Sequence, residues 1–384
     1  MKKGEGIQLT IEGFAEDADR NLSKMHLPET MTEPFDPNEI RIVPQTLSID
    51  NVIARIRNDE IDLNTEFQRK ANLWKSDVQS RLIESLMLKL PLPAFYFDAS
   101  EDDRWLIVDG LQRLSALKNF IIDENLPLIG LDILKDYDNK GLKFNDLPRI
   151  MQRRIMEANV TCFLISPGTP KKVKYNVFKR INTGALSLND MEIRNALNQG
   201  QASTFLKKIT EDAGFRKLIP LPNERMEDRE LVLRCIAFIQ TNYLKYESPL
   251  GAFLDRAMEK LQTTSLDELE NIASSILRGI EIHTKIFGKD RFSRSVISAT
   301  IHRRLNSALF EVWVVMLSKL TALQVEKIYN NQISLRNEYK QLFLDKSFND
   351  AVTTSTASKN AVINRFTKIE SLIKKHIVLS LVYF

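Results

Sequence analysis

Asp109, Gly110, Gln112 and Arg113 are the residues of this 384-residue chain whose types and spacing are best suited to chemistry. A carboxylate can hold Mg²⁺ or orient a water, an amide can position that water, and a guanidinium forks onto phosphate oxygens. They sit within RWLIVDGLQRLSALKNF, residues 104–120. Arg104–Val108 is a short apolar run with a β-branched end, which predicts a buried strand. Asp109-Gly110 breaks it, and from Leu111 the spacing turns helical, with Leu111, Leu114, Leu117, Phe120 and Ile121 on one face. The first N–H groups of a helix lack internal partners and carry the positive end of the helix dipole, so such a corner suits an anion. The plainer reading is a common strand–turn–helix in which Asp109 is an N-cap.

A second polar group lies downstream. Thr169-Pro170 predicts a helix start, and that helix runs to Ile181 before Asn182-Thr-Gly184. Arg180, Asn182 and Thr183 therefore stand at its C-terminal end. Asn189 with Glu192 three residues on predicts a capping box, opening a helix that carries Arg194. Upstream, the loop 66–74 places Gln68, Arg69 and Trp74 in a polar setting.

The elements that must position these residues follow from pattern. Ile40–Val43 is an edge strand ended by Pro44; Ser48 caps a helix; Ile61–Leu63 is a short strand. Ser76 caps a second helix with Val78, Leu82, Ile83, Leu86 and Leu90 in its stripe, stopped by Pro91-Leu-Pro93. Ala94–Phe97 and Val160–Ile165 are buried strands, with a loop or hairpin over 134–145 and a helix over 147–158 between them. From about residue 202 the pattern is helical almost throughout, in segments near 202–212, 227–245, 249–262, 266–287, 295–319, 321–343 and 358–376. The expectation is an α+β protein: an irregular arm over 1–38, a small mixed-sheet domain over 39–200, and a mainly helical domain over 201–384. Residues 377–384 are an apolar tail that adds a strand or docks in a groove.

Several classes of function lack their residues. No G-x-x-x-x-G-K-[ST] is present, and no G-x-G-x-x-G follows a strand. The four histidines share no ligand spacing, and the two cysteines, Cys162 and Cys235, sit far apart in apolar segments as reduced core thiols. His302–Asn306 falls in a helical pattern unsuited to an HNH nuclease, and Glu338-Tyr-Lys340 is a helix surface rather than a nuclease strand end. Basic clusters at 153–154, 171–174, 207–208, 302–304 and 374–375 are most simply solvated helix faces. With 54 basic and 50 acidic residues the balance permits nucleic-acid contact without arguing for it. No apolar leader or ~20-residue apolar run is present, so a cytoplasmic protein without membrane contact is expected.

Taken together, Phe67-Gln-Arg69 with Trp74, Ile83-Glu-Ser85 through Pro93, Asp109-Gly-Leu-Gln-Arg113, Phe178–Gly184 with Glu192, and Asp228–Arg234 resemble the ParB/sulfiredoxin-like N-terminal domain of the GmrSD type IV restriction enzymes. The resemblance covers residues of about 45–240 and centres on that family's DGQQR motif. It implies a nucleoside triphosphate site with Mg²⁺: Asp109, Gln112 and Arg113 as catalytic residues, Asp109 also as metal ligand, and Gly110, Gln68, Arg69, Arg180, Asn182 and Thr183 as nucleotide-binding residues. GTP, ATP and CTP are not distinguished. Two departures stand out. Leu111 replaces the first Gln of the motif, and the last stretch of about 145 residues lacks the histidines of the family's HNH-type nuclease domain.

The function expected is therefore that of a nucleotide-binding, NTP-hydrolysing regulatory component of a bacterial restriction or anti-phage defence system, acting with a separate nuclease or other effector and able to form homo-oligomers. The alternatives are a ParB-type DNA-binding protein, its helical half gripping the duplex, and a stand-alone DNA nuclease.

Overall fold

The computed structural model describes residues 11–12, 40–61, 63, 74–101, 104–138, 140–181, 188–221, 225–298 and 300–378. The chain divides into two compact units, 33–197 and 1–32 with 198–384.

In the first unit the described strands are β1 (Ile42–Ser48), β2 (Phe95–Glu101), β3 (Arg104–Asp109) and β4 (Asn159–Ile165), in the order β1-β4-β2-β3. β1 pairs antiparallel with β4, β4 parallel with β2, and β2 antiparallel with β3, so the sheet is mixed. Pro44 does not end the first strand, which continues to Ser48. The reason is its place on the edge. Ser166 N donates to Arg41 O and Ile49 N to Ala158 O, and alternation from these pairs puts Pro44 where its missing N–H would point out of the sheet.

Helices α1 (Ile49–Arg57), α2 (Ser76–Met87), α3 (Leu111–Ile121) and α4 (Arg149–Met156) come next, with α5 (Lys171–Ile181) and α6 (Asp190–Leu197) following β4. Ser48 caps α1, its hydroxyl accepting from Asn51 N at 3.2 Å. Ser76 is not a cap; it is the first residue of α2, after Lys75. That helix also stops earlier than the prolines require. Lys89 turns left-handed at φ 61°, and Leu90 N and Lys89 N donate to Ser85 O and Leu86 O, a closure that leaves Leu90 half-exposed and outside the stripe. Ile61 makes only a single bridge, to Trp105, where a short strand was expected. One core gathers Phe95, Phe97, Trp105 and Ile107 with Ile83, Leu114, Leu117 and Phe120; a smaller one gathers Val108 and Ile165 with Phe178, Ile193 and Ala196.

Among its described residues the second unit is mainly helical, and Ile11–Glu12 pairs in parallel with Leu305–Asn306. Its helices are α7 (Gln201–Glu211), α8 (Ala213–Leu218), α9 (Glu227–Gln240), α10 (Leu250–Leu261), α11 (Leu266–Phe287), α12 (Ser307–Ser318), α13 (Ala322–Asn330), α14 (Gln332–Leu342), α15 (Lys346–Thr353) and α16 (Lys359–Val378). Residues 307–317 of α12 are all buried, and this helix packs against α9, α11 and α16. Gly279 of α11 lets the two backbones approach: a Cβ there would lie 2.6 Å from Val314 O. Among the described residues no helix is long and apolar enough to cross a membrane.

Two expected helices are broken. Among the described residues of 295–306 no α-helix forms, only the end of a 3-10 turn over Arg294–Val296, because the serines there bind locally: Ser293 Oγ accepts from Ser295 N, and Ser295 Oγ donates to Asp290. Asn306 then caps α12, accepting from Leu309 N at 2.9 Å. The 321–343 helix divides at Asn331, whose side chain donates to His376 O. Helices α8 and α15 are additions to the expected set. Both cysteines are buried free thiols, as expected. Residues 379–384 of the apolar tail lie outside the described residues.

Candidate functional site

The corner forms as its sequence suggests, but its side chains are disposed by distant contacts. Gly110 precedes α3 with φ 105°, and a Cβ there would come within 2.4 Å of the Phe95 ring. Only glycine suits both the left-handed backbone and the close approach. The first intrahelical bond runs from Leu114 N to Gly110 O at 2.9 Å, so the N–H groups of Leu111, Gln112 and Arg113 precede it.

Asp109 is not the N-cap. Its Oδ2 accepts from Arg113 NH2 at 2.7 Å, and its side chain keeps 38% of its surface exposed. A bulge at Val108 brings it opposite Tyr96: Phe97 pairs with Ile107 and Tyr96 with Asp109. Bulges re-aim a side chain, and directly opposed residues share a face, so Asp109 and Tyr96 stand side by side.

Arg113 is placed differently from a cation turned toward a phosphate. It is buried; NH1 donates to Pro93 O and Ala94 O, NH2 donates to Ala94 O and Asp109, and the guanidinium lies 4.6 Å over the Phe95 ring. Burial lowers its pKa, and the neighbouring Asp109 charge opposes that shift. Arg113 therefore acts as a strut. It ties the corner to the segment entering β2 and fixes one oxygen of Asp109.

Gln112 is also engaged: its Oε1 accepts from Trp74 N at 3.2 Å. Gln79 Nε2 donates to Trp74 O, and Asn119 Nδ2 donates to Gln79 Oε1, so two glutamines tie Trp74 to α2 and α3. Leu111 packs against the larger core. Arg180 is exposed on the last turn of α5. Gln68, Arg69, Asn182 and Thr183 lie outside the described residues. Glu192 forms the expected capping box, with Asn189 N to Glu192 Oε2 and Glu192 N to Asn189 Oδ1 both at 2.7 Å. Among the described residues no three His, Cys, Asp or Glu side chains gather as a metal-ligand group.

Residue types alone do not reveal the contacts of three residues in this unit, of which the first stands beside the corner. Tyr96 is one, and the Phe-Tyr-Phe alternation at 95–97 was the signal for it. Glu84 is the second. Its carboxylate accepts from the N–H groups of Asp132, Ile133 and Leu134 at 3.0, 2.7 and 2.7 Å. Burial raises its pKa, but those three bonds and Lys135 outweigh it and hold the carboxyl below its ordinary value. Four residues earlier, Ser80 Oγ donates to Pro127 O and accepts from Ile129 N, so one face of α2 fastens the 127–134 segment. The third is Lys174, whose ammonium reaches both oxygens of buried Asp98, at 3.1 and 2.9 Å, and Ser100 Oγ. This pair pins α5 to β2 and takes Lys174 out of the solvated cluster expected at 171–174, while Lys171 is exposed.

The fold and corner together define a small mixed-sheet α+β domain carrying a strand–Asp-Gly–helix turn. Residues 49–199 match the family model of the GmrSD restriction endonuclease, N-terminal domain. No curated protein and no solved structure matches the chain.

Proposed function

We propose that the 49–199 domain is a nucleotide-binding regulatory module of a restriction or defence system, which seats a nucleoside triphosphate at the Asp109–Gly110 corner and controls a separate effector. The observation that carries the reading is the rigid corner itself. A half-exposed carboxylate, with one oxygen fixed by a buried arginine, stands beside the start of an 11-residue helix. Magnesium suits this donor set, since Mg²⁺ commonly binds through one or two carboxylates together with phosphate oxygens and water. Asp109 is the residue that would hold it, and the ion would supply neutralisation of phosphate charge.

Turnover belongs to the same reading with a different division of labour from the one the motif implies. Gln112 Oε1 and the Arg113 fork are engaged within the fold, which leaves Asp109 to address an incoming water or ion. Binding is therefore the primary activity, and hydrolysis the secondary one.

Titration calorimetry of the full chain with GTP, ATP and CTP in the presence of Mg²⁺ tests this. Saturable binding of one of them, lost in Asp109→Asn while the melting temperature is kept, is expected. No binding of any of the three to the wild type, or unchanged binding in Asp109→Asn, overturns the proposal. Phosphate release with the nucleotide that binds then measures turnover.

A further inference from the structure

A sheet face left to solvent is ordinarily polar. The sheet of the first unit departs from this on one side. Phe95, Phe97 and Cys162 turn to the other side and lie in the larger core. Directly opposed residues share a face, so three rows of side chains run across the side that departs. Ile42, Ile165 and Asp98 form the first row. It is closed: Ile165 and Asp98 are buried, Phe178 of α5 packs in the same core as Ile165, and Lys174 of α5 holds Asp98. Pro44, Phe163, Tyr96 and Asp109 form the second row, where Pro44 is exposed and both rings are partly buried. Thr46 and Thr161 oppose each other in the third, and both are exposed. Among the described residues the cover supplied by α5 and α6 therefore ends at the second row.

Two aromatic side chains stand in that half-open row. The rings of Tyr96 and Phe163 stack with centroids 4.9 Å apart and planes inclined by 18°. Tyr96 also rests against the smaller core, whereas among the described residues Phe163 belongs to neither core of the unit. A phenylalanine so placed forgoes part of the burial its ring could supply. The pair is in register with the corner. Neighbouring strands lie about 4.8 Å apart, so β4 at Phe163 is roughly 10 Å from β3 at Asp109, with Tyr96 midway.

We propose that Tyr96 and Phe163 form the shelf on which the base of the nucleotide stacks while its phosphates meet the Asp109 corner. This rests on the reading of that corner as a nucleoside triphosphate site. The shelf continues the corner along a single row of the sheet, which singles out a flat ring carried by the same ligand. Every base has a π-face, so stacking on aromatic side chains holds purines and pyrimidines alike. Triphosphates of both kinds therefore depend on the pair.

The test is calorimetry and fluorescence titration of the full chain with GTP, ATP and CTP in the presence of Mg²⁺. Wild type is compared with Tyr96→Leu, Phe163→Leu and Phe163→Trp, and a thermal melt checks that each is folded. Leucine keeps apolar bulk and removes the ring. An affinity at least about tenfold weaker in both leucine variants is expected. In Phe163→Trp, which keeps the test open should a leucine variant unfold, the nucleotide should quench emission beyond any change in the wild type, whose tryptophans are Trp74, Trp105 and Trp313. Inorganic tripolyphosphate, which has no ring to stack, should not. Wild-type binding that either leucine variant leaves unchanged overturns the shelf and leaves the corner standing. Quenching of Phe163→Trp equally by tripolyphosphate, or none by a bound nucleotide, does the same. No binding of any triphosphate to the wild type overturns both.

Discussion

Two buried arginines, each paired with a carboxylate, do different work in the two units. Arg113 meets Asp109 four residues away, and its partner remains more than one-third exposed. Arg365 meets Glu311 across 54 residues; Nε donates to Glu311 at 3.1 Å and NH1 donates to Thr356 O at 2.6 Å, with both side chains almost fully enclosed. Arg234 approaches the other oxygen of Glu311 at 3.7 Å and pairs with Glu230 at 2.7 Å. The enclosed pair joins α12 to α16 inside a core where neither charge meets solvent. The local pair fixes one oxygen of a carboxylate and leaves the rest of the group accessible. Enclosure marks the first pair as structural, and partial exposure leaves the carboxylate of the second open to solvent.

Arg365→Met gives the largest effect on this contrast. It leaves Glu311 buried without its main partner, and an equilibrium denaturation series is expected to show a loss of about 3–5 kcal/mol. Replacing Glu311 with Leu in the same chain should recover part of the loss, because an apolar pair avoids the uncompensated charge. If the double variant is no more stable than the single one, the enclosed pair is more than a packing device.

Gly110→Ala comes next. A methyl group there meets Phe95 while φ stays left-handed, and a loss of about 3 kcal/mol is expected, together with failure to bind nucleotide. Arg113→Lys sharpens the comparison further. It keeps the charge but loses the fork onto Pro93 O and Ala94 O, for an expected cost of about 1.5 kcal/mol in the same denaturation series and a weaker hold on Asp109.

The smallest effect is on pH dependence. His283 stacks between Phe287 and Phe292, with ring centroids 4.4 and 3.9 Å away. Burial, then the nearby charge of Arg291, holds its pKa well below 6.5. The unfolded chain takes up this proton near pH 6.5 and the folded one does not. Below that pH the unfolded state binds more protons, so stability is full above it and declines as pH falls, by at most about 1.4 kcal/mol per unit, until the folded value is reached. Denaturation at pH about 7.5 and about 5.5 should differ by roughly 1 kcal/mol from this group, and His283→Phe should remove that difference.

Sequence alone determined what depends on near neighbours. The Asp109-Gly110 corner, the Ser48 cap and the Asn189–Glu192 box arise from interactions reaching no more than four residues, and they form where the letters place them. The composition of the chain likewise separated a mixed-sheet half from a helical half. Tertiary structure decided which way the polar side chains face. Pro44 is tolerated because β1 is an edge, Lys89 rather than Pro91 closes α2, and the Val108 bulge sets Asp109 opposite Tyr96. Arg113 turns inward because carbonyls some twenty residues earlier in the chain lie within reach, and Arg303 meets Asp290 from thirteen residues away. A local pattern sets the period and ends of an element. The direction of a charged side chain is set by whichever distant partner the fold brings to hydrogen-bonding distance, and no window of a few residues contains that partner.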